Sequence, residues 1–380
     1  MDPMKAALLV AGGKIEVGTI PVPRPEDHQV LVRTSAVGIC GTDVHLFGGQ
    51  ANYNFDSTGV PIPLSVQPQV LGHEICGTVE EAGRGVADLK PGDRIVVDQG
   101  LNCRSQRIDP LCDSCASGSS HQCFHYQEHG LTGKQGGFAE YVAIAAVNAV
   151  RVDGDLPSRE MALTEPLACI LHAVDLAERS GGPYRFGGER RVENILILGC
   201  GPAGVLFLQY FRNVRRFDGP IFMVDLNPRK LALAEALGGI PLAAAGDDLV
   251  GEVQERTGGR KIDYLVEATG AGAPFRYMGG LLRRQATVIL YGVGREGVDL
   301  SVLNALHFGE PTVILPVGAS GGFDADGRPR VFRQAMQHLA SGRVRVAPLI
   351  THTCRLETLP EIFTRDYHKP EFTKAVLLPE

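Results

Sequence analysis

The stretch Ile195-Leu196-Ile197-Leu198-Gly199-Cys200-Gly201-Pro202-Ala203-Gly204 decides how this 380-residue chain is built. Four consecutive apolar residues read as a buried strand. Three glycines follow in the order G-x-G-x-x-G, and a helical pattern of apolar residues runs over 202–211. In such a turn Gly199 allows the tight bend, Gly201 lets backbone approach a pyrophosphate, and Gly204 lets helix and strand pack closely. Pro202 and Ala203 open the helix, whose unpaired N–H groups and dipole favour phosphate. A second apolar run, 221–224, ends at Asp225. That is about twenty residues past the motif, where a carboxylate binds a ribose 2′-hydroxyl. A carboxylate there repels a 2′-phosphate, so the pattern favours NAD over NADP. Arg229, close by in sequence, softens that preference.

Strand and helix go on alternating after this motif. A helical pattern over 229–237 closes at Gly238-Gly239, and 264–267 and 287–291 read as further buried strands. This is the signature of a doubly wound parallel sheet. Upstream, 161–179 has helical spacing and stops at Arg179-Ser180-Gly181-Gly182. Before residue 160 the texture is different. Short Val- and Ile-rich runs at 29–33, 77–81, 94–98 and 138–144 are punctuated by Pro, Gly and Asp, as in a β-sandwich or barrel. From about residue 310 that texture returns, with one helix over 330–340 and a closing run over 374–378. The expected organisation is α/β plus β: a β-rich domain of 1–160 and 310–380, interrupted by a doubly wound domain of 161–309. The charged extension 181–191 is expected at the surface or at a subunit contact.

Composition sets limits on partners. Lys and Arg number 37 against 43 Asp and Glu, a net charge of −6, with no basic run. Nucleic acid and anionic membranes are therefore not expected partners. No apolar run approaches the length of a membrane span. The start of the chain lacks the pattern of an export signal, so a cytoplasmic protein is expected.

The nine cysteines are an odd number for a disulfide framework. Four of them, Cys103, Cys112, Cys115 and Cys123, fall within 21 residues among polar, flexible neighbours. Such a segment has little apolar area to fold around, so a metal would supply the ordering energy. Four thiolates make a closed tetrahedral structural zinc site. His121 and His125 are rival fourth ligands. Other ligand types lie in Cys40-Gly41-Thr42-Asp43-Val44-His45, in Gly72-His73-Glu74 and at Glu165 of Thr164-Glu165-Pro166-Leu167.

With these motifs in this order, residues 5 to 378 resemble a zinc-dependent medium-chain alcohol dehydrogenase. The resemblance implies a GroES-like β-rich catalytic domain interrupted by a Rossmann domain, with the active site in the cleft between them. It implies two zinc ions per chain, NAD, a small alcohol or ketone substrate, and a homodimer or homotetramer. Cys40 and His73 match two catalytic zinc ligands and Glu165 the third. Glu74 matches an acid that binds zinc directly or through water. Asp43 matches the acid that orients the histidine, Thr42 the hydroxyl that starts a proton relay, and His45 its solvent-side base. The Glu-Pro-Leu-Ala run at 165–168 resembles the sorbitol, polyol and sugar branch, where many alcohol dehydrogenases have Cys. The cysteine lobe departs from the family pattern: eight residues separate Cys103 from Cys112, where two are usual.

The resemblance implies hydride transfer between a secondary alcohol, polyol- or sugar-like, and NAD. Three other readings remain at this point. An amino-alcohol dehydrogenase of the threonine type shares the Cys-Gly-Thr-Asp-Val-His segment, but continues Gly-Asn-Ala where this chain has Ala168-Cys169-Ile170. A small alcohol or aldehyde is a second alternative. A non-enzymatic redox sensor that binds NAD and zinc is the third, and would need zinc only at the four cysteines.

Overall fold

Apolar runs in the middle of the chain form six parallel strands, with Ile195–Leu198 and Ile262–Glu267 side by side at the centre. In the computed structural model, which describes residues 3–242, 248–295, 297–319 and 322–379, the spatial order is Ile240–Pro241, Ile221–Val224, Ile195–Leu198, Ile262–Glu267, Leu282–Leu290 and Thr312–Ile314. Numbered along the chain this is 3-2-1-4-5-6, the Rossmann order, whose switch point lies between the first and fourth strands. Strands covered on both faces read as unbroken apolar runs, and all four residues of Ile195–Leu198 are buried. Phe222, Leu196, Leu265, Val288 and Met278 belong to the core of this unit.

The flanking sequence forms sheets that are antiparallel except where Ile350–Cys354 and Lys374–Leu377 pair in parallel. One has the order Lys14–Pro21, Pro3–Ala11, Gln69–Val70. The larger runs Ala149–Arg151, Arg94–Val97, Glu74–Ala82, Gln29–Ile39, Lys374–Leu377, Ile350–Cys354, with Tyr141–Ala145 also pairing to Gln29–Ile39. In its register Gly38 stands opposite Glu74, and Ile39 opposite Ala375. Val32, Ile75, Ile95, Phe138 and Val142 form the core of this GroES-like unit.

Contacts divide the chain after Ala168. One unit also takes in Gly318–Gly342 and Val346 onward; the other is Cys169–Val317 with Arg343–Arg345. The texture change near 161 marks the start of helices (Ser158–Met161, then Thr164–Arg179), not the edge of a compact unit. Glu165 therefore shares a unit with Cys40 and His73. The extension 181–191 is less superficial than its charges suggest. Phe186 stacks on Phe211 at 5.3 Å, and the Arg283 guanidinium lies 4.8 Å over the buried Tyr184 ring. The two aromatic rings anchor a segment whose charged residues Glu189, Arg190 and Arg191 are exposed. No helix among the described residues is long and apolar enough to cross a membrane.

Candidate functional site

Cys40 ends the Gln29–Ile39 strand and caps the helix Gly41–Phe47. His73 immediately precedes the Glu74–Ala82 strand. Asp43, fully buried, ties these segments together. Its Oδ2 accepts the Cys40 N–H at 2.8 Å and its Oδ1 the Gly72 N–H at 3.2 Å, while His73 Nδ1 lies 3.5 Å from Oδ1. One short carboxylate thus fixes two loops and aligns an imidazole, the usual arrangement around a metal-bound histidine.

Cys40 Sγ, a His73 nitrogen and a Glu74 carboxylate oxygen all lie within 4.8 Å of one another. The Glu74 carboxylate is fully buried. Its Oε1 accepts from Lys374 Nζ at 2.5 Å, and its Oε2 has no hydrogen-bond partner among the described residues. Burial opposes the charge on Lys374, but Glu74, Cys40 and Asp43 together raise its pKa. Burial likewise opposes the charge on His73, yet Asp43 and Cys40 raise its pKa well above the ordinary imidazole value. A soft thiolate, an imidazole and a carboxylate with an unmet oxygen, gathered this closely, fit one zinc ion with metal–ligand distances of about 2.0–2.3 Å. Glu165 lies outside this close group. Its Oε1 accepts from Gln99 Nε2 at 2.9 Å. Glu74 joins the group because it directly follows His73 and faces Gly38, where a Cβ would stand 1.7 Å from Oε2.

Thr42 lies two residues on, its Oγ1 3.7 Å from Cys40 Sγ. His45 Nδ1 is 2.6 Å from Gln50 Oε1. With the amide oxygen as acceptor, Nδ1 carries the proton and Nε2 remains as the base.

Three residues that sequence reading did not single out belong here: Gly38, Lys374 and Gln99. Lys374 gave one signal, a lysine inside the apolar strand Lys374–Leu377. Asp98 is a fourth. Burial pushes its carboxyl up to about 8 against the lowering effect of the Gly100 N–H, with Glu165 and Glu128 adding to the rise. Its folded pKa exceeds its unfolded one, so the unfolded chain releases this proton first and stability falls as pH climbs from about 4 to 8. Asp98→Asn keeps the acceptor for the Gly100 N–H and has no charge to bury. The variant is expected to unfold at a higher temperature than the wild type at pH 9, by roughly 1–3 kcal/mol. The gap should close toward pH 5, and calorimetry that finds it constant with pH would refute the assignment.

The four lobe cysteines also converge, with all four Sγ within 4.8 Å. Cys103 and Cys123 sulfurs are 3.6 Å apart, and those of Cys112 and Cys123 3.8 Å. Tetrahedral zinc with bonds of about 2.3 Å requires sulfur separations of about 3.8 Å. The long spacing after Cys103 is absorbed by a compact loop: Ile108 N–H returns to Cys103 O at 2.8 Å, and Cys112 N–H reaches Cys103 Sγ at 3.5 Å. Backbone N–H groups of Cys115 and Phe124 push the Cys112 thiol down to about 6, while burial pushes Cys115 and Cys123 up. His121 and His125 are not part of the group.

In the Rossmann unit, Gly199 has φ +99°, and a Cβ there would meet Thr269 at 2.9 Å. A Cβ on Gly204 would stand 1.9 Å from Gly199 O, whereas one on Gly201 would meet no atom of the described residues within 4 Å. Pro202 begins the helix Pro202–Gln209 and Ala203 follows it. Asp225 accepts N–H groups from Cys200 at 2.7 Å and Asn227 at 2.8 Å, so its carboxylate is held beside the glycine turn. Arg229 is exposed at the second position of Pro228–Ala236. An open glycine, a helix N-terminus and an oriented carboxylate fit a dinucleotide.

Residues 26–154 match the family model described as alcohol dehydrogenase GroES-like domain, and residues 214–341 the one described as zinc-binding dehydrogenase. The chain is 28% identical to L-galactonate-5-dehydrogenase of Escherichia coli (strain K12) over 359 residues, 94% of this chain and 93% of that protein. It is 30% identical to L-threonine 3-dehydrogenase of Anaeromyxobacter sp. (strain Fw109-5) over 287 residues, 74% of this chain and 75% of that one. Among solved structures, a zinc-binding dehydrogenase of Sinorhizobium meliloti 1021 bound to NADP superposes with a TM-score of 0.81 at 28% identity, covering all of both chains.

Proposed function

We propose, for a chain that belongs to the zinc-dependent medium-chain alcohol dehydrogenases, that the substrate is a polyol or sugar-like secondary alcohol and the preferred cofactor NAD. As a member it is an oxidoreductase that uses zinc and NAD(P). The observation that carries the reading is the Cys40, His73 and Glu74 group with Thr42 beside it.

Cys40, His73 and Glu74 would hold the catalytic zinc, with Glu165 outside that close group and bonded to Gln99. Cys103, Cys112, Cys115 and Cys123 would hold a second, structural zinc. Bound there, zinc would supply the Lewis acidity that eases deprotonation of an alcohol, and the dinucleotide would supply the hydride acceptor. Asp43 holds the His73 ring and the Cys40 backbone in place. Thr42 Oγ1 would accept the hydroxyl proton as it gives up its own, and His45, its tautomer set by Gln50, would be the base through which a proton leaves to solvent. The oxygen donor at Glu74 makes the ligand set harder than a thiolate-rich one. That suits substrates with adjacent hydroxyl oxygens.

The test is cofactor reduction by the zinc-replete protein on polyols, sugars, threonine and monohydric secondary alcohols, each with NAD and with NADP. Polyols or sugars with NAD are the expected best pair, with NADP at least about tenfold poorer because Asp225 repels the added phosphate. The amino-alcohol reading rests on the likeness to a threonine dehydrogenase. Threonine as the sole substrate would replace the polyol reading.

The chain is also proposed to be a homo-oligomer. Thr312–Ile314 is an edge strand of the Rossmann sheet, and Val313, Leu315 and Val317 on and after it are 42%, 62% and 61% exposed. Such an edge needs a partner strand or cover. Val313→Lys is expected to shift the sedimenting species toward a single chain, and an unchanged distribution would place the contact elsewhere.

A further inference from the structure

Gln99 is held rigidly beside Glu165. Asn148, fully buried, donates its Nδ2 to the carbonyls of Asp98 and Gly100, both at 2.7 Å. The His129 N–H reaches Gln99 O at 3.0 Å. The segment around Gln99 therefore cannot shift without breaking three buried bonds. Gln99 itself is 2% exposed. Its Nε2 donates to Glu165 Oε1 at 2.9 Å and, more weakly, to Glu128 Oε1 at 3.4 Å. The two carboxylates settle the orientation of the amide, because a reversed amide would set oxygen against oxygen. The consequence is a buried amide oxygen, Gln99 Oε1, with no hydrogen-bond partner among the described residues.

A buried acceptor left unmet is destabilising, and such exceptions call for an explanation. Gln99 donates to the carboxylates of Glu165 and Glu128, which supply acceptors and negative charge. A ligand that satisfies this wall presents hydroxyl or amine hydrogens and carries no negative charge.

We propose that Gln99 determines substrate class: its Oε1 accepts a hydrogen bond from a second hydroxyl of the substrate, and the acceptor wall it forms with Glu165 and Glu128 rejects anionic substrates. This deepens the polyol reading and rests on it. The site thereby separates neutral polyols from sugar acids and phosphorylated sugars, which offer the same carbinol carbon but bring a negative charge to the two carboxylates. The chain would then differ in substrate charge from its relative named for galactonate.

The experiment uses the zinc-loaded full chain with NAD. Its probes are sorbitol, xylitol and galactitol, the matching aldonates gluconate, xylonate and galactonate, and 2-butanol as an alcohol with no second hydroxyl. The wild type is expected to prefer the best polyol over its aldonate by about 100-fold or more in kcat/KM. Gln99→Met, similar in volume, is expected to lose about 10- to 100-fold on the polyol, mostly in KM, and several times less on 2-butanol, where only the support of Glu165 is lost. Zinc content by mass spectrometry should not change. The dissociation constant of the polyol from the enzyme–NADH complex, read from bound NADH fluorescence, should rise by the same factor as KM. An equal loss on polyol and 2-butanol would overturn the proposal and leave Gln99 as a support for Glu165. Equal use of polyol and aldonate by the wild type would overturn the exclusion of anions. A wild type that prefers 2-butanol to every polyol would instead bring down the polyol reading itself, a result separate from both.

Discussion

Replacing Glu74 by Leu is expected to remove both the catalytic metal and a large share of the stability of the GroES-like unit, and the two losses are separable. Glu74 faces two ways. Its Oε1 neutralises Lys374, which is 3% exposed and sits 300 residues further along the chain. Its Oε2 is the carboxylate oxygen left for a metal. Removing one member of a buried ion pair strands the other charge, at a cost of about 3–5 kcal/mol. Replacing both members by apolar residues of similar size is often close to neutral. In chelator, Glu74→Leu should therefore unfold well below the wild type, and Glu74→Leu/Lys374→Met should recover most of the difference. Activity should follow another course. Lewis-acid assistance is worth several kcal/mol, so both variants are expected to lose roughly a thousandfold or more in kcat/KM. Thermal unfolding of the single and double variants, beside zinc content and turnover, decides the matter. A double variant that regains activity with stability would show that Glu74 serves only as the partner of Lys374. Gly38→Ala gives an independent check, since its Cβ would displace the Glu74 carboxylate without deleting it.

The second large effect concerns the cysteine lobe. Its buried core is three cysteines with Ile108, Leu111, Cys112 and Tyr126 packed against them. That is too little apolar surface to order a loop of this length, so a metal must supply the difference. Zinc binding in comparable small folds is worth roughly 10–16 kcal/mol. Cys115→Ser should carry about one zinc fewer per chain. It should become sensitive to proteases between residues 104 and 120, and it should refold poorly. The damage should also reach the site. The pair Gly100–Leu101 and Gln127–Glu128 closes the base of the lobe, and Gln99 adjoins it. Limited proteolysis with metal analysis tests this, and a variant short of one zinc but as resistant as the wild type would refute it.

Much of the Rossmann unit was legible because its signals are local. A glycine turn, the helix it opens and the acid after the next strand lie within about thirty residues, and each obeys hydrogen-bond and steric rules that act at short range. The helix Arg330–Ala340 showed in its apolar period and appears with the same ends. The spacing of Cys112, Cys115 and Cys123 spoke for a metal for the same reason. The sheets of the β-rich unit were less legible. The strand Gln29–Ile39 is longer than its Val- and Ile-rich start, and Pro3–Ala11 with Lys14–Pro21 gave no run distinct enough to mark. Their edges are set by partners, which no local period records.

What the sequence determined by itself is the chemistry on offer: a dinucleotide turn with its acid at Asp225, four clustered thiols, and the Cys40, Thr42, Asp43, His73 and Glu74 segments. What only the tertiary structure decided is which of these meet. The pairing of Gly38 with Glu74 and of Ile39 with Ala375 brings Cys40, Glu74 and Lys374 to one place. It leaves Glu165 outside the close group and in the grip of Gln99. Strand register is a property of long-range pairing, where a shift of one residue turns every side chain to the other face. A buried charge pair across 300 residues, and the glycine that makes room for it, follow from that register and from nothing nearer in the chain.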